Sequence, residues 1–306
     1  MALQQQIRTR NTEQLLSIGI LGLLVLLYAP VIIYWFNGWL YKTISTEHEY
    51  FSHGIIGLPF AAYLIWENRK KWQRLPNKTN PLGAALLVIG AIFYLTNVTE
   101  WVNLSLPTIL VGLCLWFKSF PGLKLLGFPL LLIFLATPTA VPYLIAPYTF
   151  PLQSFIAGTA GFILNQFGMN AVVDGINVYV NGRIVEVAPY CAGLKMLFTT
   201  IYVCLMLLYW TDNLSSRRVT LWFLSTAVVI SVIANIIRNT ILSFFHGTGQ
   251  EAAFEWLHDS WGGDLYSALM LLSLIPILNW MSDYFSAPLE TELESENQLL
   301  PPEIID

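Results

Sequence analysis

Residues 217–238 read RRVTLWFLSTAVVISVIANIIR. Arg217 and Arg218 open the stretch, Arg238 closes it, and no charge lies between them. On a helix rising 1.5 Å per residue, Arg218 and Arg238 stand about 30 Å apart, the apolar thickness of a bilayer. An arginine at the centre of a span costs about 2.5–3.5 kcal/mol on insertion scales. The stretch therefore predicts a transmembrane helix with a paired basic anchor at one surface and a guanidinium at the other.

The rest of the chain follows this pattern. Of 306 residues, 56% are hydrophobic and 11% charged, where an average soluble domain carries about 25% charged residues. The hydropathy pattern predicts an all-α polytopic membrane protein with about eight transmembrane helices, near 15–37, 52–66, 82–98, 101–117, 123–137, 189–210, 219–244 and 261–282. No small-residue cleavage site follows the first apolar run, so it reads as a retained span. Basic residues collect in short cytoplasmic loops. With both termini inside, all but Lys42, Arg183, Lys195 and Arg238 of the 15 lysines and arginines fall on the cytoplasmic side.

Residues 148–168, which follow a proline-rich segment, would break that parity if they crossed. They are expected to form a re-entrant or interface-lying outer helix. Ile176–Val180 and Arg183–Val187 flank Asn181-Gly182, the dipeptide that supplies the positive φ angles of a type I′ turn. They predict one small extracytoplasmic β-hairpin. Residues 1–286 read as a single transmembrane domain, and 287–306 as an acidic, disordered cytoplasmic tail.

Cys114, Cys191 and Cys204 form no disulfide-type or metal-type spacing, so neither metal nor cofactor is expected. No basic cluster is interleaved with exposed aromatics, which argues against nucleic acid. Cys114 and Cys204 lie deep in apolar runs and read as small buried residues. Cys191 differs. Pro189 predicts a helix start that puts Cys191 in the first turn, where unpaired N–H groups favour a thiolate. Lys195 adds positive charge one turn on, and Gly193 leaves room for close backbone approach. Arg238 has Asn235 one turn below it and offers five donors to an oxyanion or a carboxylate. His258 opens the last helix and suits a proton shuttle, whereas His246 reads as a solvated interface residue. His53, in Phe51-Ser-His-Gly54, is placed near the outer face. Helix arithmetic puts Cys191, Arg238 and His258 at one outer level.

At these residues the chain resembles the exosortase/archaeosortase family of membrane cysteine transpeptidases. The resemblance is carried by Cys191-Ala-Gly-Leu194, Asn235-Ile-Ile-Arg238 and His258 in that order, with Phe51-Ser-His-Gly54 and Pro151-Leu-Gln153 upstream. Ala192 stands where the family has serine. The compact form looks most like the cyanobacterial-type branch. The resemblance implies Cys191, Arg238 and His258 as catalytic residues, with Asn235, Lys195 and His53 on the substrate side. It also implies exported protein substrates with a C-terminal sorting signal: a Pro-Glu-Pro-type motif, a transmembrane helix and a basic cluster. Cleavage is expected at the extracytoplasmic face of the cell membrane. Two other readings remain open from the residues alone. One is a transporter using Arg238 to bind an anionic solute, and the other is a non-catalytic membrane assembly factor.

Overall fold

The computed structural model describes residues 2–41, 50–187, 193–258 and 260–299. They fall into two compact units, Met1–Ala140 and Val141–Asp306.

The first unit holds α1 (Ala2–Tyr41), α2 (Gly54–Glu67), the short α3 (Arg69–Arg74), α4 (Pro81–Leu95) and α5 (Thr99–Ala136). Pro81 opens α4 under an Asn80 side chain that accepts from Leu82 N, so the helix start is capped as its sequence suggests. α4 and α5 pack against each other closely. A Cβ on Gly83 would lie 2.5 Å from Trp116 N and 2.8 Å from the Gly112 carbonyl, so only glycine allows this approach. The two helices expected at 101–117 and 123–137 are arms of one element, α5, broken at Ser119 (φ 51°, ψ −152°). Pro121 lies just beyond the break and cannot support the preceding turn. Lys118, beside the break, donates to the Leu75 carbonyl and to Asn77 Oδ1, both at 2.6 Å.

The second unit begins with α6 (Val141–Ile145) and α7 (Phe150–Gln166). A β-meander follows: β1 (Ala171–Asp174), β2 (Asn177–Val180) and β3 (Arg183–Glu186), antiparallel in that order. The Asn181-Gly182 turn is present, with φ of 52° and 78°. The sheet has three strands where a hairpin was expected. The added strand turns into β2 through Gly175-Ile176, and a positive φ at Gly175 alone fits a type II′ turn. An isolated hairpin is marginal in water. Here Val178 and Val180 of β2 pack with Ile156, Ala157 and Leu164 of α7 and Ile236 of a later helix.

That later helix is α9 (Arg217–Gly247), preceded by α8 (Leu194–Trp210) and followed by α10 (Glu251–His258) and α11 (Trp261–Leu299). Cys204 and Leu208 of α8, Phe223 and Ala227 of α9, and Leu274 and Leu278 of α11 form one buried cluster. At its far end α9 meets the sheet. Asn181 Nδ2 donates to the Gly247 carbonyl (3.0 Å), and a Cβ on Gly247 would lie 2.4 Å from Val180 Cγ1.

Among the described residues, four helices are long and apolar enough to cross a membrane: α1 over Gly22–Leu40, α5, α9, and α11 over Trp261–Phe285. The chain is a multi-pass membrane protein. α2, α4 and α8 are apolar but shorter, so length and composition support four crossings of the eight expected.

Candidate active site on α9

Buried polar residues recur along α9 at every fourth position: Ser231, Asn235, Asn239 and Ser243. Residues four apart on a helix share a face, so this apolar helix carries a polar stripe into the protein. Asn239 Nδ2 donates to the Asn235 carbonyl (2.9 Å) and to Asn235 Oδ1 (3.2 Å). Asn235 is 1% exposed, and its Nδ2 meets no acceptor among the described residues.

Asn235 faces Gly193. A Cβ on Gly193 would lie 2.8 Å from both Cγ and Nδ2 of Asn235. Gly193 has φ +82°, a left-handed conformation that glycine adopts without steric cost. It caps α8, and its carbonyl accepts from Leu197 N (2.6 Å). The helix start expected at Pro189 lies outside the described residues. A right-handed helix cannot run through Gly193, so α8 starts at Leu194. Cys191 itself lies outside the described residues, as do Pro189 and Ala192.

Arg238 reaches the other neighbour. Its Nη2 donates to the Leu257 carbonyl at the end of α10 (3.3 Å), while Nε is buried with no acceptor among the described residues. Gly263 makes room for this contact. A Cβ there would lie 3.0 Å from Arg238 Nη2 and 2.8 Å from the Leu257 carbonyl. One turn below, the Tyr266 hydroxyl donates to the Ala234 carbonyl (2.6 Å) and fixes α11 against α9. Leu257 precedes His258, whose ring stacks on Phe254 with centroids 5.1 Å apart and planes 9° apart. His246 contacts the same Phe254 ring and bonds Glu251 through Nδ1 (3.2 Å). Glu251 also pairs with Arg183 of β3.

Among the residues named from sequence, Asn235 and Arg238 thus lie together on α9. Lys195 is half-buried in the first turn of α8, and His258 ends α10 beside the carbonyl that Arg238 grips. His53 belongs to the first unit. It is buried, and its Nε2 donates to the Leu135 carbonyl (3.1 Å). Cys114 and Cys204 are buried free thiols, as expected. Gly263 and Tyr266 were not singled out from sequence, and Asn239 reads there only as a polar neighbour of Arg238. Of these, Asn239 had a readable signal, because it stands one turn beyond Asn235 on the same face.

The arrangement presents two donor side chains, an amide and a guanidinium, one helical turn apart in the second half of a membrane helix that runs on to Gly247. Each touches a different neighbouring segment. Such a pair can receive a carbonyl oxygen that gains charge, or a carboxylate.

Comparison with known proteins bears on the family alone. No curated protein matches the chain. No solved structure does either. Residues 35–275 match the transmembrane exosortase family, a stretch that contains every residue of this site. The chain belongs to the transmembrane exosortase family.

Proposed function

We propose that the protein is a membrane cysteine protease or transpeptidase that cleaves the C-terminal sorting signal of exported proteins at the outer face of the cell membrane. One observation carries this reading. Gly193 of the cysteine motif touches Asn235 of the arginine motif, and Arg238 bonds the residue before His258. Gly193 and Leu257, from two sequence-distant segments, thus both meet the arginine motif on α9. Cys191 is two residues from Gly193, which limits their Cα separation to about 7 Å in an extended chain.

In the proposed reaction, Cys191 Sγ attacks the peptide carbonyl carbon near a Pro-Glu-Pro-type motif, and the thiol proton passes to His258. The S–C bond forms as the carbonyl π pair moves onto oxygen. Collapse restores the carbonyl, breaks the C–N bond and yields a thioester, while His258 returns the proton to the leaving amine. An amine or water then resolves the thioester. Arg238 stabilises the oxyanion or holds the motif's glutamate. Lys195 and His53 are assigned to the substrate side. A substrate transmembrane helix lying beside the bundle would bring its motif to this level.

The topology is proposed on the same footing. α2, α4, α8 and the two arms of α5 complete eight crossings, with α7 and the sheet on the outer side. The family match runs across the junction of the two units, which supports one domain over 1–286. The acidic tail is read as cytoplasmic.

The test is to co-express the full chain with a reporter bearing a Pro-Glu-Pro segment, a transmembrane helix and a basic cluster, and to search for a thioester on Cys191 by mass spectrometry. Cys191→Ala should abolish both cleavage and adduct. Cleavage that survives in Cys191→Ala would reject the mechanism.

A further inference from the structure

The amide of Asn235 has its orientation set by a neighbour. Asn239 Nδ2 bonds the Asn235 backbone carbonyl, which can only accept. This fixes which end of the Asn239 amide points back along α9. The same Nδ2 lies 3.2 Å from Asn235 Oδ1, so the oxygen of Asn235 is the end turned toward Asn239. Its Nδ2 is then the end presented to Gly193. A buried donor without an acceptor loses about 1–3 kcal/mol of solvation. Here the donor, with no acceptor among the described residues, has its direction set by a second side chain that is itself buried.

We propose that Asn235 Nδ2 is a catalytic donor to the oxyanion formed on the substrate carbonyl, and that Asn239 is the positioning residue that turns it there. The proposal rests on the cysteine reading above and deepens it. When the S–C bond forms, the electron pair that moves onto the carbonyl oxygen meets a neutral amide donor already oriented. No side chain has to reorganise at that moment, which is where such donors gain their effect. Gly193 matters for the same reason, since any side chain at that position would occupy the space that Asn235 fills. The assignment also leaves the guanidinium of Arg238, one turn on, available to a carboxylate.

The experiment uses the full chain in membranes with the reporter described above, comparing variants at equal membrane level. Cleavage rate is measured at saturating reporter, and reporter co-purification is measured in a Cys191→Ala background. Asn235→Ala should slow cleavage about 10²–10³-fold, the range for losing one oxyanion donor. Asn235→Asp keeps the shape and removes the donor, so it should lose as much, and it guards against a packing defect in the alanine variant. Asn239→Ala should lose about 10–100-fold by misplacing the donor. The double variant Asn235→Ala/Asn239→Ala should match Asn235→Ala alone, because the two act as a unit. Co-purification should be unchanged throughout. A full rate in Asn235→Asp, losses that multiply in the double variant, or co-purification that falls in parallel with rate would each overturn the donor assignment. If Cys191→Ala still cleaves, the cysteine reading itself fails. If Cys191→Ala is dead while Asn235→Asp is fully active, only the assignment of Asn235 and Asn239 fails.

Discussion

α5 and α9 are both long, apolar helices with polar residues buried along them, yet they treat those residues in opposite ways. On α5, Asn103 accepts from Trp35 Nε1 (2.7 Å) and donates to the Pro138 carbonyl (3.0 Å). Ser105 bonds Tyr28 and the Val102 carbonyl, and Lys118 bonds the Leu75 carbonyl and Asn77. On α9, Asn235 Nδ2, Arg238 Nε and Ser243 Oγ are buried with no partner among the described residues. Leaving a buried polar atom unmatched is costly. The α5 groups hold helices together; those on α9 leave hydrogen-bonding capacity unused among the described residues. Polarity inside a membrane helix therefore does not by itself mark a site; the unmatched donors of α9 are what set it apart from α5.

The strongest test of that contrast exchanges one cation on each helix. Arg238→Lys keeps the charge but loses the planar fork, and reporter cleavage should fall about 100-fold or more at unchanged membrane level. Lys118→Met should do the reverse. It strands the Leu75 carbonyl and Asn77 Oδ1, which destabilises the fold by about 1–3 kcal/mol while each folded molecule cleaves normally. Thermal unfolding in detergent and a cleavage time course separate the two effects. Normal cleavage by Arg238→Lys would remove the distinction between the helices.

Glycines give the second test. Gly193→Ala meets a left-handed φ of +82° and the Asn235 side chain at 2.8 Å, so cleavage should drop about 10–100-fold through displacement of the donor. In Gly112→Ala the added methyl would lie 3.1 Å from Leu87 N, so α4 and α5 must separate slightly. Stability should fall by about 1–3 kcal/mol, with turnover per folded molecule retained. Should Gly193→Ala cleave at the parental rate, the packing between the two motifs has no part in the chemistry.

Much of this contrast was legible in the sequence, for physical reasons that differ by residue. Arg238 announced itself because a charge ending an uncharged apolar run has few tolerable environments. The break in α5 was legible as well, since Pro121-Gly122 interrupts the apolar pattern there. β1 was missed because four residues ending in Asp174 carry little strand signal alone; α7 and β2 supply its stability. The break at Gly193 was not legible, because its left-handed backbone answers to the Asn235 side chain, forty-two positions away in sequence. The role of Asn239 depends on which way an amide points, and a sequence does not encode that directly. Family motifs named His258, and the structure adds its link to Arg238 through the Leu257 carbonyl.

The smallest effect is expected where β3 meets α10. Arg183 and Glu251 pair there with side chains 43% and 49% exposed, and His246 joins through Glu251. An exposed ion pair contributes about 0–1 kcal/mol and weakens with salt. Arg183→Gln should therefore shift thermal unfolding only slightly at low salt and not at high salt, and cleavage should change by less than about fivefold, the limit that 1 kcal/mol allows. The sheet is held instead by Val178 and Val180 against α7, and by Asn181 on the Gly247 carbonyl. If Arg183→Gln matched Gly193→Ala in its loss of cleavage, the ionic contact would be setting the position of α10, and with it His258. The contrast would then have to be drawn between the sheet and α9, with the unmatched donors of α9 depending on a surface charge to meet their substrate.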